Sequence, residues 1–343
     1  MRRGLILILG VCRLLPFSGT LLAVLVAANA WANDSTAELA TGGLVLTTTA
    51  DIEMRSEELF LSVDEIRVAY RFFNKTAQNK IVTVAFPMPD ISVSGLNNNL
   101  ALPTVNPENI FDFSTRADGQ PVETRLEQRV FARGVDQTEL LRKLGVPIQP
   151  ELESTNKALD ALPQSQWQLL TERGLAEAQD DGVGGDSHKH LQATWTLKAT
   201  YYWEQTFPAQ NELLIEHRYK PSVGRSAVTS LASPDARGQS WYQEYLRKYC
   251  LDKYFLGALE NARKAENSDF PALQEQRIAY ILKTAANWAA PIKSFRMVVD
   301  KGDPKNLVSF CGNPSKISPT QFEVKASNYT PTGNVDVLIL TKK

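Results

Sequence analysis

The feature that most constrains this chain is a side-chain alternation that recurs along it. In "TWTLKATYYWEQTF", Trp195, Leu197, Ala199, Tyr201 and Trp203 share one parity, while Thr194, Thr196, Lys198 and Thr200 share the other. A period of two marks a strand with one face buried and one face wet. "ELLIEHRY" repeats it with Leu213, Ile215, His217 and Tyr219. Earlier, "IRVAYRF" sets Ile66, Val68, Tyr70 and Phe72 against Arg67, Ala69 and Arg71. "IVTVAFPMP" follows, with Val82, Val84, Phe86 and Met88 in step. Turn residues in "NKTAQNK" separate the earlier two runs, which predicts a hairpin with a loose loop, and "ELLIEHRY" is expected to partner the Trp195–Trp203 run in the same way. Pro87 and Pro89 end their strand or place it at an edge. Two more strands are expected around the Asp118-Gly119 turn.

The period changes in the middle of the chain. Asp136 can cap a helix, with Glu139 three residues on in the reciprocal position. Leu140, Leu141 and Leu144 would form its apolar side, and Gly145 can stop it. Further helical pieces are expected over Glu151–Leu162 and Gln164–Gln179. After residue 219, "SVGRSAVTSLASPDARG" looks like a linker. Ser240 then caps a helix carrying Tyr242, Tyr245, Leu246 and Tyr249 at helical spacing. A second helix is expected to start near Pro271, carry Leu273, Ile278, Ile281 and Leu282, and stop before Pro291. Four strand-like runs, "SFRMVV", "NLVSFC", "QFEVKA" and "NVDVLIL", finish the chain.

These patterns predict an α+β protein. Residues 33–225 form a mainly antiparallel, sandwich-like β body with a helical insertion at about 136–180, and residues 226–343 a smaller α/β region. Antiparallel pairing is favoured because alternation with one buried face dominates. Hydrophobic residues make up 43% of the 343-residue chain, ample for packed cores.

The first 32 residues read differently. They contain Arg2, Arg3 and Arg13, no acidic residue, and an apolar run from Leu14 to Ala28. Ala30-Trp31-Ala32 then offers the small-x-small exit that a signal peptidase accepts, so cleavage is expected between Ala32 and Asn33. Pro16, Ser18, Gly19 and Thr20 interrupt the run, which falls short of the roughly 20 apolar residues of a membrane-spanning helix. No transmembrane span is expected in the mature chain. Leu9-Gly10-Val11-Cys12 approximates a lipoprotein box, but Val11 is bulky where a small residue is wanted. The expected location is exported, either periplasmic or secreted.

Charge and cysteines follow from that location. The whole chain has 37 basic and 38 acidic residues; losing the three leader arginines leaves 34 against 38. No basic excess argues for nucleic acid. Without Cys12, only Cys250 and Cys311 remain. Two lone cysteines in an oxidising compartment usually pair, and the loop they would close is worth roughly 4 kcal/mol in the chain-entropy model.

Candidate chemistry is sparse. Asp180, Asp181, Asp186, His188 and His190 in "DDGVGGDSHKH" could gather round a metal, with Asp186, His188 and His190 the foremost candidates. The glycine-rich loop matches no zinc spacing, and a solvated loop is the simpler reading. Gly185-Asp186-Ser187 lacks the G-x-S-x-G elbow of a serine hydrolase. Glu204 and Glu216 lie beside Tyr201, Tyr202 and Trp203, and two carboxylates ~5–9.5 Å apart could cleave a glycosidic bond. Yet Trp195, Tyr201 and Trp203 share the apolar parity and both glutamates the polar one. His217 sits on the apolar parity, where a hydrogen-bonded core histidine is expected in preference to a base. No cofactor is implied.

Several segments resemble a family of exported bacterial proteins known only as a domain of unknown function. They are "NDSTAELATGGLVLTTTADIEMRSEELFLS", "IRVAYRFFNKT", "VAFPMPDI" and the closing "ASNYTPTGNVDVLIL". The Ala37-Glu38-Leu39-Ala40-Thr41-Gly42-Gly43-Leu44 opening is the most specific of them. The resemblance implies an envelope or secreted location and carries over no active residue. The functional expectation is a non-enzymatic module that binds a partner protein or envelope component, with a secreted glycan hydrolase as the alternative.

Overall fold

The alternating runs become strands of facing sheets. The computed structural model describes residues 33–40, 43–92, 102–150, 152–180, 182 and 189–342. The first strands are β1 (Ser35–Ala40), β2 (Gly43–Thr47), β3 (Ile52–Leu61), β4 (Ile66–Asn74) and β5 (Lys80–Pro87). Then come β6 (Ile91–Ser92), β7 (Ser114–Ala117), β8 (Gln120–Val122), β9 (Arg125–Ala132) and β10 (Val135–Asp136). Helices α1 (Thr138–Lys143), α2 (Glu153–Asp160) and α3 (Gln164–Arg173) form the insertion. They lead to β11 (Ala176–Asp180), β12 (Lys189–Ala193), β13 (Thr196–Phe207), β14 (Glu212–Tyr219) and β15 (Gly224–Ser226). Helices α4 (Ser240–Lys248) and α5 (Lys253–Glu266) precede β16 (Leu273–Tyr280) and β17 (Ile292–Asp300). The chain closes with β18 (Leu307–Ser309), β19 (Ser315–Lys316), β20 (Gln321–Tyr329) and β21 (Val335–Lys342).

A seven-stranded sheet runs β10-β9-β13-β5-β1-β2, with β6 also on β13. An eight-stranded sheet runs β19-β20-β17-β3-β4-β14-β7-β8, and a four-stranded sheet β15-β16-β21-β18. Strands β11 and β12 form a separate pair. Among the described residues pairing is antiparallel except where β17 lies parallel to β3. The fold is α+β and mainly antiparallel, with a sandwich-like body.

The expected hairpins do not form. β4 pairs with β3 and β14, whereas β5 pairs with β1 and β13. Likewise β13 belongs to the seven-stranded sheet and β14 to the eight-stranded one. The connections at 75–79 and 208–211 therefore cross between sheets. Alternation identifies the buried face of a strand. Here the buried faces of consecutive strands meet across the sandwich rather than side by side. Val68, Tyr70, Phe72 and Ile215 from one sheet share a core with Val84, Phe86, Tyr201 and Trp203 from the other.

That core also takes in Ile278, Tyr280, Val337 and Ile339 of the four-stranded sheet and Phe295, Met297 and Val299 of β17. The division expected at 225/226 is therefore not a break in packing, because the later segment supplies strands to the earlier core. The four-stranded sheet is buried on both sides. Its other face, with Leu273, Leu338 and Leu340, packs on Tyr242, Tyr245, Phe255 and Leu259 of α4 and α5.

The insertion has its own small core of Val130, Leu141, Leu159, Leu170, Leu191 and Trp195. Asp136 accepts from the Thr138 backbone NH at 2.8 Å, but Glu139 turns to Arg142, so the expected reciprocal cap is absent. Gly174, at φ 71°, ends α3. The chain then turns into β11 instead of continuing as a helix to Gln179.

Two expectations in the last third are corrected. The second helix lies upstream, as α5, where the Asp252 side chain caps the NH of Phe255 at 2.8 Å. The stretch after Pro271 is the strand β16. Glu275 and Arg277 occupy inward positions there, so polar residues hid the period of two. The linker-like stretch contributes buried Val223, Leu231 and Ala232 and the edge strand β15. Cys250 and Cys311 are joined, with Cα atoms 5.1 Å apart, tying the end of α4 to the segment after β18. Among the described residues, no helix is long and apolar enough to cross a membrane.

Candidate functional site

A buried set of ionisable groups lies inside the sandwich, and a backbone irregularity helps to build it. In β3, Ile52 and Met54 are buried on one parity, whereas Glu57, Leu59 and Leu61 are buried on the other. The register with β4 slips between Met54 and Ser56, leaving Arg55 as an extra residue. A bulge of this kind flips the side chains beyond it to the opposite face. Glu57, set opposite Tyr70, is turned into the core and fully buried.

Glu57 Oε1 accepts from the Tyr280 hydroxyl at 3.2 Å, and Oε2 accepts from Asn33 Nδ2 at 3.1 Å. The Tyr70 and Tyr280 hydroxyls are 2.9 Å apart. With the Tyr280 proton committed to Glu57, Tyr70 is the donor of that pair. Burial pushes the Glu57 carboxyl up to about 8; the bonds from Asn33 and Tyr280 oppose the rise, and the nearby Asp34 carboxylate adds to it.

Beside Glu57 lies a second line of groups. His217 Nε2 is 3.0 Å from Asp34 Oδ1, and its Nδ1 is 3.0 Å from Thr115 Oγ1. Thr115 and His217 are direct cross-strand partners in the β7–β14 pair. An Nε2–H donating to Asp34 and a threonine hydroxyl donating to Nδ1 satisfies a neutral imidazole. Burial raises the Asp34 carboxyl, against the pull of His217. The second Asp34 oxygen, Oδ2, is buried with no hydrogen-bond partner. Phe113, Phe86 and Trp203 surround the imidazole with ring centroids at 5.2, 4.9 and 5.3 Å.

Carboxylate, imidazole and hydroxyl in series resemble a nucleophile relay in order. Exposure decides against that use here. Thr115 is 3% exposed, His217 2% and Asp34 0%, so no substrate atom reaches the hydroxyl in this closed arrangement. The cluster ties together β3, β7, β14, β16 and the segment Asn33–Asp34 before β1. Strand periodicity singled out His217; Asp34, Glu57 and Thr115 were missed. The broken alternation in "IEMRSEELFL" was the available signal for Glu57.

The other candidates are not brought together. Glu204 is exposed on β13 opposite Thr83, and Glu216 lies on β14 opposite Ala69 and Arg116. Both alternate with core residues of facing sheets, so their side chains leave the sandwich on opposite sides. Sheets stack ~10 Å apart before side-chain length is added, which exceeds the reach of a glycosidase pair. His190 lies in β12, while Asp181, Asp186, Ser187 and His188 lie outside the described residues. Among the described residues, no three histidine, cysteine or acidic side chains gather as metal ligands do. A cavity of about 150 Å³ sits between α4, α5 and the preceding turn, lined by Leu231, Tyr242, Leu256 and Leu259. It is smaller than the ~300–1,000 Å³ of most small-molecule pockets.

Gly43, at the start of β2, closely approaches β9. Gly43 has φ 116°, and a Cβ there would lie 2.5 Å from Glu127 Oε1. The next NH, of Leu44, donates to Glu127 at 3.1 Å. A glycine lets the β1–β2 hairpin approach β9 this closely.

No curated protein matches the chain. Among solved structures, it is similar to a Legionella pneumophila protein described as a "putative nutrient binding protein", at 13% identity and a TM-score of 0.41, over 90% of this chain and 70% of that one. Residues 32–338 match the family described as Domain of unknown function (DUF4424), and the chain belongs to that family.

Proposed function

We propose that this is an exported, non-enzymatic binding module of the bacterial envelope, or a secreted factor, that engages a partner protein through the β1–β2–β5 end of its seven-stranded sheet. The observation that carries the reading is a concentration of exposed apolar side chains there. Leu39 is 68% exposed, Ile81 62% and Val45 51%. Ala37 pairs with Thr83, so Leu39 and Ile81 lie two residues beyond, at the same end of the β1–β5 pair. Val45 sits opposite Glu38 on the neighbouring β2 and so projects from the other face of the sheet. Single exposed apolar residues are ordinary, but Leu39 and Ile81 are neighbours on one face of adjacent strands and form a contact surface. The partner is expected to present a complementary apolar patch.

The test is capture from envelope fractions by the tagged mature protein. A Leu39→Lys/Ile81→Lys variant is expected to lose the captured partner while keeping its melting temperature. Tyr254→Ala, which removes a 75% exposed aromatic on α5, is expected to retain it. Equal capture by all three proteins would refute the surface. Turnover in a glycan hydrolase panel that is abolished by Glu204→Gln or Glu216→Gln would refute the non-enzymatic reading.

A further inference from the structure

The start of the mature chain is itself held in a built site. Asn33, Asp34 and Ser35 are all fully buried. One turn in the last third of the chain grips them through its side chains. Thr284 Oγ1 donates to the Asn33 carbonyl at 2.8 Å, and Trp288 Nε1 donates to the Asp34 carbonyl at 2.7 Å. Asn287 Nδ2 donates to Ser35 Oγ at 2.8 Å. Asn33 Oδ1 in turn accepts from the Asp34 NH at 2.9 Å.

Charge around this site is uneven. Two carboxyl groups, Asp34 and Glu57, are buried side by side with His217, Tyr70 and Tyr280 as the other titratable groups bonded into the cluster. His217 serves Asp34. The bonds to Glu57 come from a neutral amide and a neutral phenol. Asp34 Oδ2 is fully buried and unpartnered. Such groups are costly to enclose unless a cation or donor meets them.

We propose that cleavage of the Ala32–Asn33 bond supplies that cation: the new α-ammonium of Asn33 is held in this cluster between the Glu57 carboxylate and Asp34 Oδ2. The step is a peptide hydrolysis by the signal peptidase of the exporting cell. The water oxygen adds to the Ala32 carbonyl carbon and the carbon–nitrogen bond breaks. Ala32 leaves as a carboxylate, and the Asn33 nitrogen takes up protons to become an ammonium. No oxidant or reductant is needed. The nitrogen stands on the same Cα whose side chain already reaches Glu57, so its position is set by covalent geometry. Before cleavage it is an uncharged amide and the cluster lacks its cation. Leader removal thus completes the interior as well as freeing the chain. The inference depends on where the chain is cut and is independent of any partner at β1–β2–β5.

The test compares two exported proteins: the wild-type mature form, and one exported behind a leader that leaves a single extra alanine before Asn33. Intact mass is expected to place Asn33 first in the wild type. Its α-amine is expected to react with an amine-acylating reagent about 100-fold more slowly folded than in denaturant. The extra alanine is expected to lower the melting temperature by about 5 °C or more. Glu57→Gln and Asp34→Asn are each expected to shrink that difference, because the ammonium then has less to pair with. Three results would overturn the proposal: a mature chain starting elsewhere, a freely reactive amine in the folded protein, or an alanine penalty unchanged by both substitutions. The amine measurement needs only the wild type, so it decides even if both variants fail to fold.

Discussion

Among the described residues two glutamates, Glu57 and Glu275, are buried, and they are accommodated in different ways. Glu275 lies on β16, with Arg277 two residues along on the same face and Arg277 Nη1 2.5 Å from Glu275 Oε2. Thr229 Oγ1 also donates to Glu275 at 2.7 Å, and Tyr245 lies above it at 3.4 Å. Arg277 reaches Ser226 Oγ at 2.8 Å as well. Acid and base arrive together on one strand, so the pair is complete wherever that strand is buried. Glu57 reaches the interior through a bulge and meets neutral donors from distant segments. The difference teaches that a buried carboxylate can be balanced locally by its own strand, or only when remote parts of the chain have met.

The largest effect that would probe this contrast is expected at Arg277. Arg277→Ala strands Glu275 in the interior and should lower unfolding stability by about 3–5 kcal/mol in chemical denaturation. A loss below about 1 kcal/mol would mean that Glu275 does not need its arginine, and the contrast with Glu57 would disappear.

Next comes pH dependence. Glu57 is held up at about 8 in the fold, against an ordinary carboxyl near 4.5. The folded state then keeps the Glu57 proton where the unfolded chain has lost it. That contribution is present in full below about pH 4.5 and is lost as pH rises through about 8. In the form carrying an extra N-terminal alanine, stability is expected to fall by roughly 3 kcal/mol between pH 5 and pH 8, and Glu57→Gln should flatten the decline. In the mature form the proposed ammonium beside Glu57 is expected to make the decline shallower. Identical slopes for the two forms would separate Glu57 from the chain start.

Smaller effects sharpen the picture. Tyr280→Phe removes the hydroxyl shared by Glu57 and Tyr70 and is expected to destabilise by about 1–3 kcal/mol in thermal unfolding. Thr115→Val leaves His217 Nδ1 without its partner and should cost about 1 kcal/mol, with the melting transition remaining cooperative. A Thr115→Val effect larger than that of Tyr280→Phe would shift the weight of the cluster from Glu57 to His217.

The strands were legible because alternation survives in a sequence whenever one face is apolar. Ile66–Phe72 and Trp195–Trp203 show it directly. Which strands pair was not legible, since β4 and β5 present the same parity whether they lie side by side or face to face. β16 was misread because Glu275 and Arg277 occupy inward positions and because Ile278 and Tyr280 bury its opposite face as well. α5 carried a capping aspartate, Asp252, with Phe255 and Leu259 at helical spacing, so its signal was local. Within the polar cluster, parity placed His217 inside. Asp34 and Thr115 had no comparable mark, because each stands in a short polar stretch whose burial depends on segments over 100 residues away.

By itself the sequence determined the class of the fold, the buried face of most strands and the two cysteines, Cys250 and Cys311, that are joined. Those properties depend on local spacing and residue chemistry. Tertiary structure alone decided that consecutive strands sit in opposite sheets, that a bulge turns Glu57 inward, and that Asn33 and Asp34 lie deep in the core. These depend on which distant surfaces exclude water together, and no short window of residues records that.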